Sequence, residues 1–182
     1  MKKFKILIPV YNDWQSLSKL LNNIDNEIEN INHEISVIVV DDASTFDRQL
    51  EIENLSNIIS IKILNMRENR GHARCIAAGL KYIFEKEEFD YVIPMDGDGE
   101  DRPEEIKEFI KSMKNNPEQT VVGERVKRSE TFIFKFCYFF HKIITLVFTG
   151  HSIKFGNFTC LTKSTVEKLV NEKATWNSFS GA

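Results

Sequence analysis

Short, unbroken apolar runs alternate along this chain with longer segments whose apolar residues return every three or four positions. Residues 5–10 are apolar enough for a buried strand, with Pro9 near the end, where a missing N–H is tolerated. Trp14, Leu17, Leu20, Leu21, Ile24, Ile28 and Ile31 then keep helical spacing, so one helix face is core. Asn12 or Asp13 can cap that helix. Residues 35–40 form a second run, rich in β-branched side chains, which suits a strand covered on both faces. The pattern next predicts a short helix over 47–55 and a strand over 59–64. A helix reaching Lys86 follows, with Ala73, Ile76, Ala77, Leu80, Ile83 and Phe84 as its buried face. Residues 91–95 read as a strand. Pro103 opens a helix running to Asn115, since its absent N–H would be an orphan anyway. Strands over 120–123 and 155–161 and a helix over 163–170 complete the expectation, and residues 171–182 give no clean element.

Strands alternating with helices imply an α/β fold with a mostly parallel central sheet and flanking helices, Rossmann-like in its layering. Ligands of such sheets bind at the carboxyl ends of the strands. Three polar groups fall there: Tyr11-Asn12-Asp13, Asp41-Asp42, and Asp96 with Asp98. Alternate strand residues face the same way, so Asp96 and Asp98 can present their carboxylates together across Gly97. Hard divalent cations such as magnesium or manganese want such oxygens, beside water and phosphate ligands. The plainer reading is an acidic turn before a helix N-terminus, where carboxylates are welcome in any case. Asn69-Arg70-Gly71 precedes a helix, and helix N-termini bind anions. Against that stands a tight turn with a solvated arginine. His72 either donates toward such an anion or caps its own helix.

Bulk properties narrow the classes. The 182 residues suffice for one domain with a core. A net charge of −3 gives no general attraction for nucleic acid, so any anion site is local. The three cysteines, Cys75, Cys137 and Cys160, are widely spaced, which argues against a disulfide framework and suits a reducing, cytoplasmic compartment. The N-terminal apolar run is too short for a signal peptide, and no stretch is long enough to span a bilayer. Residues 123–130 carry a basic cluster with Arg125, Lys127 and Arg128, and residues 131–149 are rich in phenylalanine. Arginines beside an aromatic helix suit a phosphate held at a lipid interface. The alternatives are a solvated charged face and a core helix.

Taken together, Ile8-Pro9-Val10-Tyr11-Asn12-Asp13, Val39-Val40-Asp41-Asp42-Ala43-Ser44, Asn69-Arg70-Gly71-His72-Ala73 and Asp96-Gly97-Asp98 resemble, in the correct order, the family 2 glycosyltransferases. The resemblance implies the GT-A nucleotide-diphospho-sugar transferase fold, with Asp96-Gly97-Asp98 as its metal-binding DXD motif. It implies a nucleotide-sugar site made from Pro9, Tyr11, Asn12, Asp13, Asp41, Asp42, Asn69, Arg70, Gly71, His72, Asp96 and Gly97. Asp98-Gly99-Glu100-Asp101-Arg102-Pro103-Glu104, Gly123-Glu124-Arg125 and Phe155-Gly156-Asn157-Phe158 are similar, more narrowly, to the dolichol-phosphate mannose synthase type of polyprenyl-phosphate sugar transferase.

That similarity implies a single catalytic domain over 1–182, without the C-terminal membrane segment many such enzymes carry. The enzyme would be inverting and peripheral to the inner, cytoplasmic face of the membrane. Its cofactor would be Mg2+ or Mn2+, held by Asp98 and Asp96, although Asp96 could instead accept from a ribose. Asp41 would accept from the base or ribose, and Asp42 either does the same or satisfies neighbouring backbone N–H groups. The catalytic groups would be Asp98, Arg125 and Arg128, the arginines cradling the acceptor phosphate. The implied partners are a UDP- or GDP-sugar donor, a lipid phosphate acceptor, the membrane surface and no nucleic acid, with a homo-oligomer left open. Several relatives carry an aspartate shortly before their Gly-x-Phe, whereas here Ile153, Lys154 and Phe155 stand there. A phosphate acceptor is already an anion and needs little base. Transfer to a saccharide hydroxyl, which does need one, is the enzymatic alternative, and a noncatalytic nucleotide-sugar-binding module is the other.

Overall fold

A computed structural model of the chain describes residues 1–52, 55–124 and 155–177. Two compact units divide the chain: residues 1–122 with 157–182, and residues 123–156. The sheet and helices belong to the first unit, and only strand backbone at the two margins of the second is described.

Strands β1 (Lys3–Val10), β2 (Glu34–Asp41), β3 (Ser60–Asn65), β4 (Tyr91–Pro94), β5 (Val121–Glu124) and β6 (Phe155–Thr162) form one six-stranded sheet in the order β3-β2-β1-β4-β6-β5. β1 runs parallel to β2 and β4, and β2 runs parallel to β3. β6 is antiparallel to β4. The helices are α1 (Trp14–Glu27), α2 (His72–Lys86), α3 (Ile106–Asn115) and α4 (Lys163–Asn171). The mostly parallel α/β sheet expected from the alternating pattern is present.

Successive strand residues point to opposite faces, and both faces of this sheet are covered. Ile6 and Ile8 of β1 join a core with Leu17, Leu21 and Ile24 of α1 and Ile106 and Phe109 of α3. Leu7, between them, joins a second core with Ile76, Leu80 and Ile83 of α2 and Val166 of α4. Covering on both faces explains why the strands read as continuous apolar runs rather than alternating ones. Each such isoleucine or leucine, fully buried, stabilises the fold by roughly 1.5–3 kcal/mol.

Three local expectations are corrected. α1 ends at Glu27, and Ile31 reaches the same core from the turn beyond it. No helix forms over residues 47–52 or at Leu55. Side chains of α1 take backbone N–H groups in and just beyond this stretch: Ser18 Oγ accepts from Glu51 N at 3.0 Å, and past Leu55 Asp25 accepts from Ser56, Asn57 and Ile58 N at 3.1, 2.9 and 2.7 Å. Side-chain acceptors compete with helical i→i−4 bonding in this way. Near the end of the chain a 3-10 turn, Lys173–Trp176, forms where no element is predicted, and the Thr175 hydroxyl donates to Leu169 O at 2.7 Å.

Among the described residues no helix is long and apolar enough to cross a membrane. Arg125, Lys127, Arg128 and the aromatic stretch over 131–149 lie outside the described residues.

Candidate functional site

The parallel registers bring three chain segments to one edge. Val10, the last residue of β1, pairs with Asp41, the last of β2. Asp42 N donates to Val10 O at 2.9 Å, and Met95 N donates to Leu7 O at 2.9 Å, which carries the β4 exit along β1. Gly97 follows two residues later. A Cβ there would lie 3.0 Å from the Pro9 carbonyl oxygen. The Asp96-Gly97-Asp98 turn therefore lies against the end of β1 because residue 97 has no side chain.

Asn12 stitches the first two loops together. Its backbone is left-handed, with φ of 57°, a conformation asparagine tolerates. Its Oδ1 accepts from Thr45 N at 2.8 Å and Phe46 N at 3.0 Å, and its own N–H donates to Ser44 Oγ at 2.9 Å. Asp13 caps α1, accepting from Ser16 N at 3.1 Å. Tyr11 stays exposed beside them, and Pro9 is buried in the strand. A cavity of about 960 Å³ opens between the first half of α1 and residues 45–52, and Asn12 and Asp13 are the members of the expected site that line it.

The two aspartates at the end of β2 are both buried and differ in what they hold. Asp41 Oδ1 accepts from Ser44 N at 2.9 Å, while Oδ2 lies 3.5 Å from Arg48 Nη2. Asp42 accepts from Arg70 N through Oδ1 and from Gly71 N through Oδ2, each at 2.8 Å. Asn69 and the Arg70 side chain are exposed, and Arg70 pairs with Glu68.

His72, the first residue of α2, meets the end of β4. Its Nε2 is 2.8 Å from Asp96 Oδ1. The Asp96 hydrogen bond raises His72 above its ordinary pKa against the opposing effect of burial, and the charges of Asp96, Asp98 and Asp101 add to the rise. Asp98 is exposed, and its Oδ1 accepts from Glu100 N at 2.9 Å. Asp101, a buried residue that sequence reasoning did not single out, accepts from Asp96 N through Oδ2 at 2.8 Å. Its signal was an acid in the same turn, on the polar side of the proline that starts the next helix. Arg48 was also missed. It lies over the Trp14 ring, 4.9 Å from the centroid, as well as against Asp41. No run of spacing points to it.

Among the described residues no three histidine, cysteine, aspartate or glutamate side chains gather as a ready-made metal cage. Asp96 and Asp98 are nonetheless hard oxygen donors on one turn. Magnesium commonly takes one or two carboxylates and completes its shell with substrate phosphates. The structure thus places Pro9 and Asp41 at the ends of β1 and β2, Tyr11, Asn12, Asp13, Asp42, Asn69, Arg70, Gly71, Asp96, Gly97 and Asp98 on the turns at the same sheet edge, and His72 at the start of α2. The arginines 125 and 128 fall outside the description.

The Glycosyl transferase family 2 family model matches residues 5–169. The chain is 29% identical over 125 residues to the dolichol-phosphate mannosyltransferase of Pyrococcus furiosus, covering 69% of this chain and 34% of that one. It is 36% identical over 115 residues to the undecaprenyl-phosphate 4-deoxy-4-formamido-L-arabinose transferase of Pseudomonas syringae pv. syringae, covering 61% and 32%. The chain spans about a third of the length of these two relatives. Among solved structures, S. aureus TarS 1–349 in complex with UDP-GlcNAc has the same fold, with a TM-score of 0.51 at 24% identity over 73% of this chain and 38% of that one.

Proposed function

The chain belongs to glycosyl transferase family 2, and on that premise we propose that it is the catalytic part of a metal-dependent, inverting enzyme. It moves a sugar from a nucleotide-sugar donor to a polyprenyl phosphate at the cytoplasmic face of the membrane. The observation that carries this reading is the placement of Asp41, His72 and Asp96 at the carboxyl edge of β1, β2 and β4, Asp41 ending β2 and His72, which opens α2, bonded to Asp96, with Asp98 on the same turn as Asp96. Two relatives, a dolichol-phosphate and an undecaprenyl-phosphate sugar transferase, support the acceptor class.

Asp41 accepts from the base or ribose of the donor, and the exposed Tyr11 ring offers a flat apolar surface beside it. Asp98, with Asp96 beside it, would hold a magnesium or manganese ion, which would supply Lewis-acid neutralisation of the leaving diphosphate. His72, raised above its ordinary pKa by the Asp96 hydrogen bond, is a hydrogen-bond donor for the same diphosphate. Asn69 and Arg70 flank it at the start of α2. Displacement at the anomeric carbon by the acceptor phosphate from the opposite face inverts the configuration. That phosphate is already an anion, so no side chain has to remove a proton. Arg125 and Arg128 hold it, since a guanidinium offers planar, bidentate hydrogen bonds to phosphate.

The test is a panel of UDP- and GDP-sugars with magnesium or manganese, with and without a polyprenyl phosphate, reading nucleoside diphosphate release. Release that requires both the ion and the polyprenyl phosphate is expected. Release stimulated by a saccharide and not by the lipid phosphate would move the acceptor to a hydroxyl. Tight donor binding without turnover under any condition would make the chain a binding module.

A further inference from the structure

Asp42 is 4% exposed, yet both of its carboxylate oxygens are engaged. They accept from the successive N–H groups of Arg70 and Gly71, each at 2.8 Å, across a sequence gap of 28 and 29 residues. Its own N–H donates to Val10 O at 2.9 Å. The Cys75 thiol, one turn into α2, is pushed up to about 12, by burial first and then by the charge of Asp42. One residue thus ties the end of β1, through its backbone N–H, to the entrance of α2, through its carboxylate. A buried carboxylate is costly unless hydrogen-bonded, and here the compensation comes from the backbone of one turn.

That turn has a strict shape. Gly71 has φ of 87°, a left-handed conformation that L side chains rarely adopt, and it is the N-cap of α2. Arg74 N and Cys75 N donate to Gly71 O at 3.1 and 3.2 Å. The next residue is His72, whose Nε2 sits 2.8 Å from Asp96 Oδ1. Residues 69–72 are therefore pinned at one end by Asp42, and their last side chain reaches the turn after β4.

We infer that Asp42 is a positioning residue that does not touch the nucleotide but holds residues 69–72 so that His72 faces Asp96 beside the donor diphosphate. The inference rests on the donor-site reading above. It separates the two neighbouring aspartates: Asp41 meets the ligand, and Asp42 sets the turn that meets the ligand's other end.

The experiment uses three variants, Asp42→Asn, His72→Ala and their double, with Gly71→Ala as a second way to disturb the turn. Asparagine keeps the shape but turns an NH2 toward one of the two backbone N–H groups. Gly71→Ala leaves Asp42 intact, and a Cβ there meets nothing within 4 Å, so its effect comes from backbone φ alone. Amide hydrogen exchange is read at Arg70 and Gly71, and UDP and GDP affinities are read by calorimetry with magnesium or manganese. Asp42→Asn should speed exchange at both amides and weaken nucleotide binding about tenfold or more. It should weaken binding no further in the His72→Ala background, because contacts in one chain of cause are non-additive. Gly71→Ala should reproduce the weakened binding. Unchanged exchange at residues 70 and 71 would overturn the inference, as would additive losses in the double variant, which would put Asp42 on the nucleotide. Full affinity in Asp42→Asn despite faster exchange would also overturn it. If the parent chain bound neither nucleotide, the donor-site reading would fail, while the exchange arm would still decide whether Asp42 holds the turn.

Discussion

His72 Nε2 and Asp96 Oδ1 lie 2.8 Å apart, so the first residue of α2 and the turn after β4 share a hydrogen bond across 24 residues of sequence. The bond raises His72 above its ordinary value of 6.5. A raised folded-state pKa contributes stability that is fully present below the unfolded value and is lost as pH rises through the folded one. The side chains are 45% and 20% exposed, so solvent screening holds the contribution to about 0.5 kcal/mol. In chelator, the melting temperature of His72→Ala should fall below the parent's most clearly under pH 6.5. The gap should close at higher pH. A gap that widens as pH rises would show that His72 is not held charged.

Asp98→Asn tests the ion. The substitution removes one charge from an exposed turn, so the melting temperature should barely move. Nucleoside diphosphate affinity in magnesium or manganese should drop by about tenfold or more, which is about 1.4 kcal/mol. The remaining affinity should no longer respond to chelator. Calorimetry with undiminished metal dependence would remove Asp98 from the ligand set.

Asp41→Ala should weaken free nucleotide as much as the nucleotide sugar, because the base or ribose is common to both. Part of the loss will run through Ser44, whose N–H donates to Asp41 Oδ1 at 2.9 Å. Parallel titrations of UDP or GDP and of the sugar conjugate check this. Selective loss of the conjugate would place Asp41 on the sugar side.

Asp25 anchors residues 56–58, just beyond the stretch expected to be a helix. Burial alone would raise its pKa, but hydrogen bonds from Ile58, Ser56 and Asn57 outweigh that and hold it below the ordinary 3.8. Asp25→Ala strips the acceptor from several partly buried N–H groups and should cost about 2–4 kcal/mol in urea unfolding. The sign with pH is opposite to that of His72. The contribution is complete above 3.8 and disappears as pH falls through the lower folded-state value, so parent and variant should converge only in acid.

Arg128→Ala tests the acceptor side. Loss of one charge-assisted hydrogen bond worth about 1.5–3 kcal/mol should slow transfer to polyprenyl phosphate about tenfold or more. Donor affinity, measured on the same protein, should be unchanged. Equal losses in both, or normal transfer, would return Arg128 to the solvated surface. Binding to anionic vesicles that ignores salt would argue against a basic interface.

The linear chain carried the layers of this fold and the strand-end placement of several candidate residues. Runs such as residues 35–40 are apolar without alternation because helices cover both sheet faces, and that is visible without coordinates. Asp41, Asp42, Asp96 and Asp98 follow such runs immediately, so their position at strand ends was legible too. Glycine at 97 could be suspected of permitting a close approach, but that the approached atom is the Pro9 carbonyl oxygen was not.

What only the tertiary structure decided are contacts whose two halves are far apart in sequence. The sequence left Asp42 either a nucleotide-binding group or a backbone acceptor, and only the folded chain, which lays β3 parallel to β2 with Asn65 opposite Asp41, brings the following turn at Arg70 and Gly71 onto its carboxylate. No helix forms over residues 47–52, where Ser18, on another element, offers an acceptor to Glu51 N, and Asp25 takes the N–H groups of residues 56–58 just beyond. Local periodicity records which face of an element is apolar. It does not record which distant polar atom will arrive to satisfy an N–H, because register and packing bring that atom there.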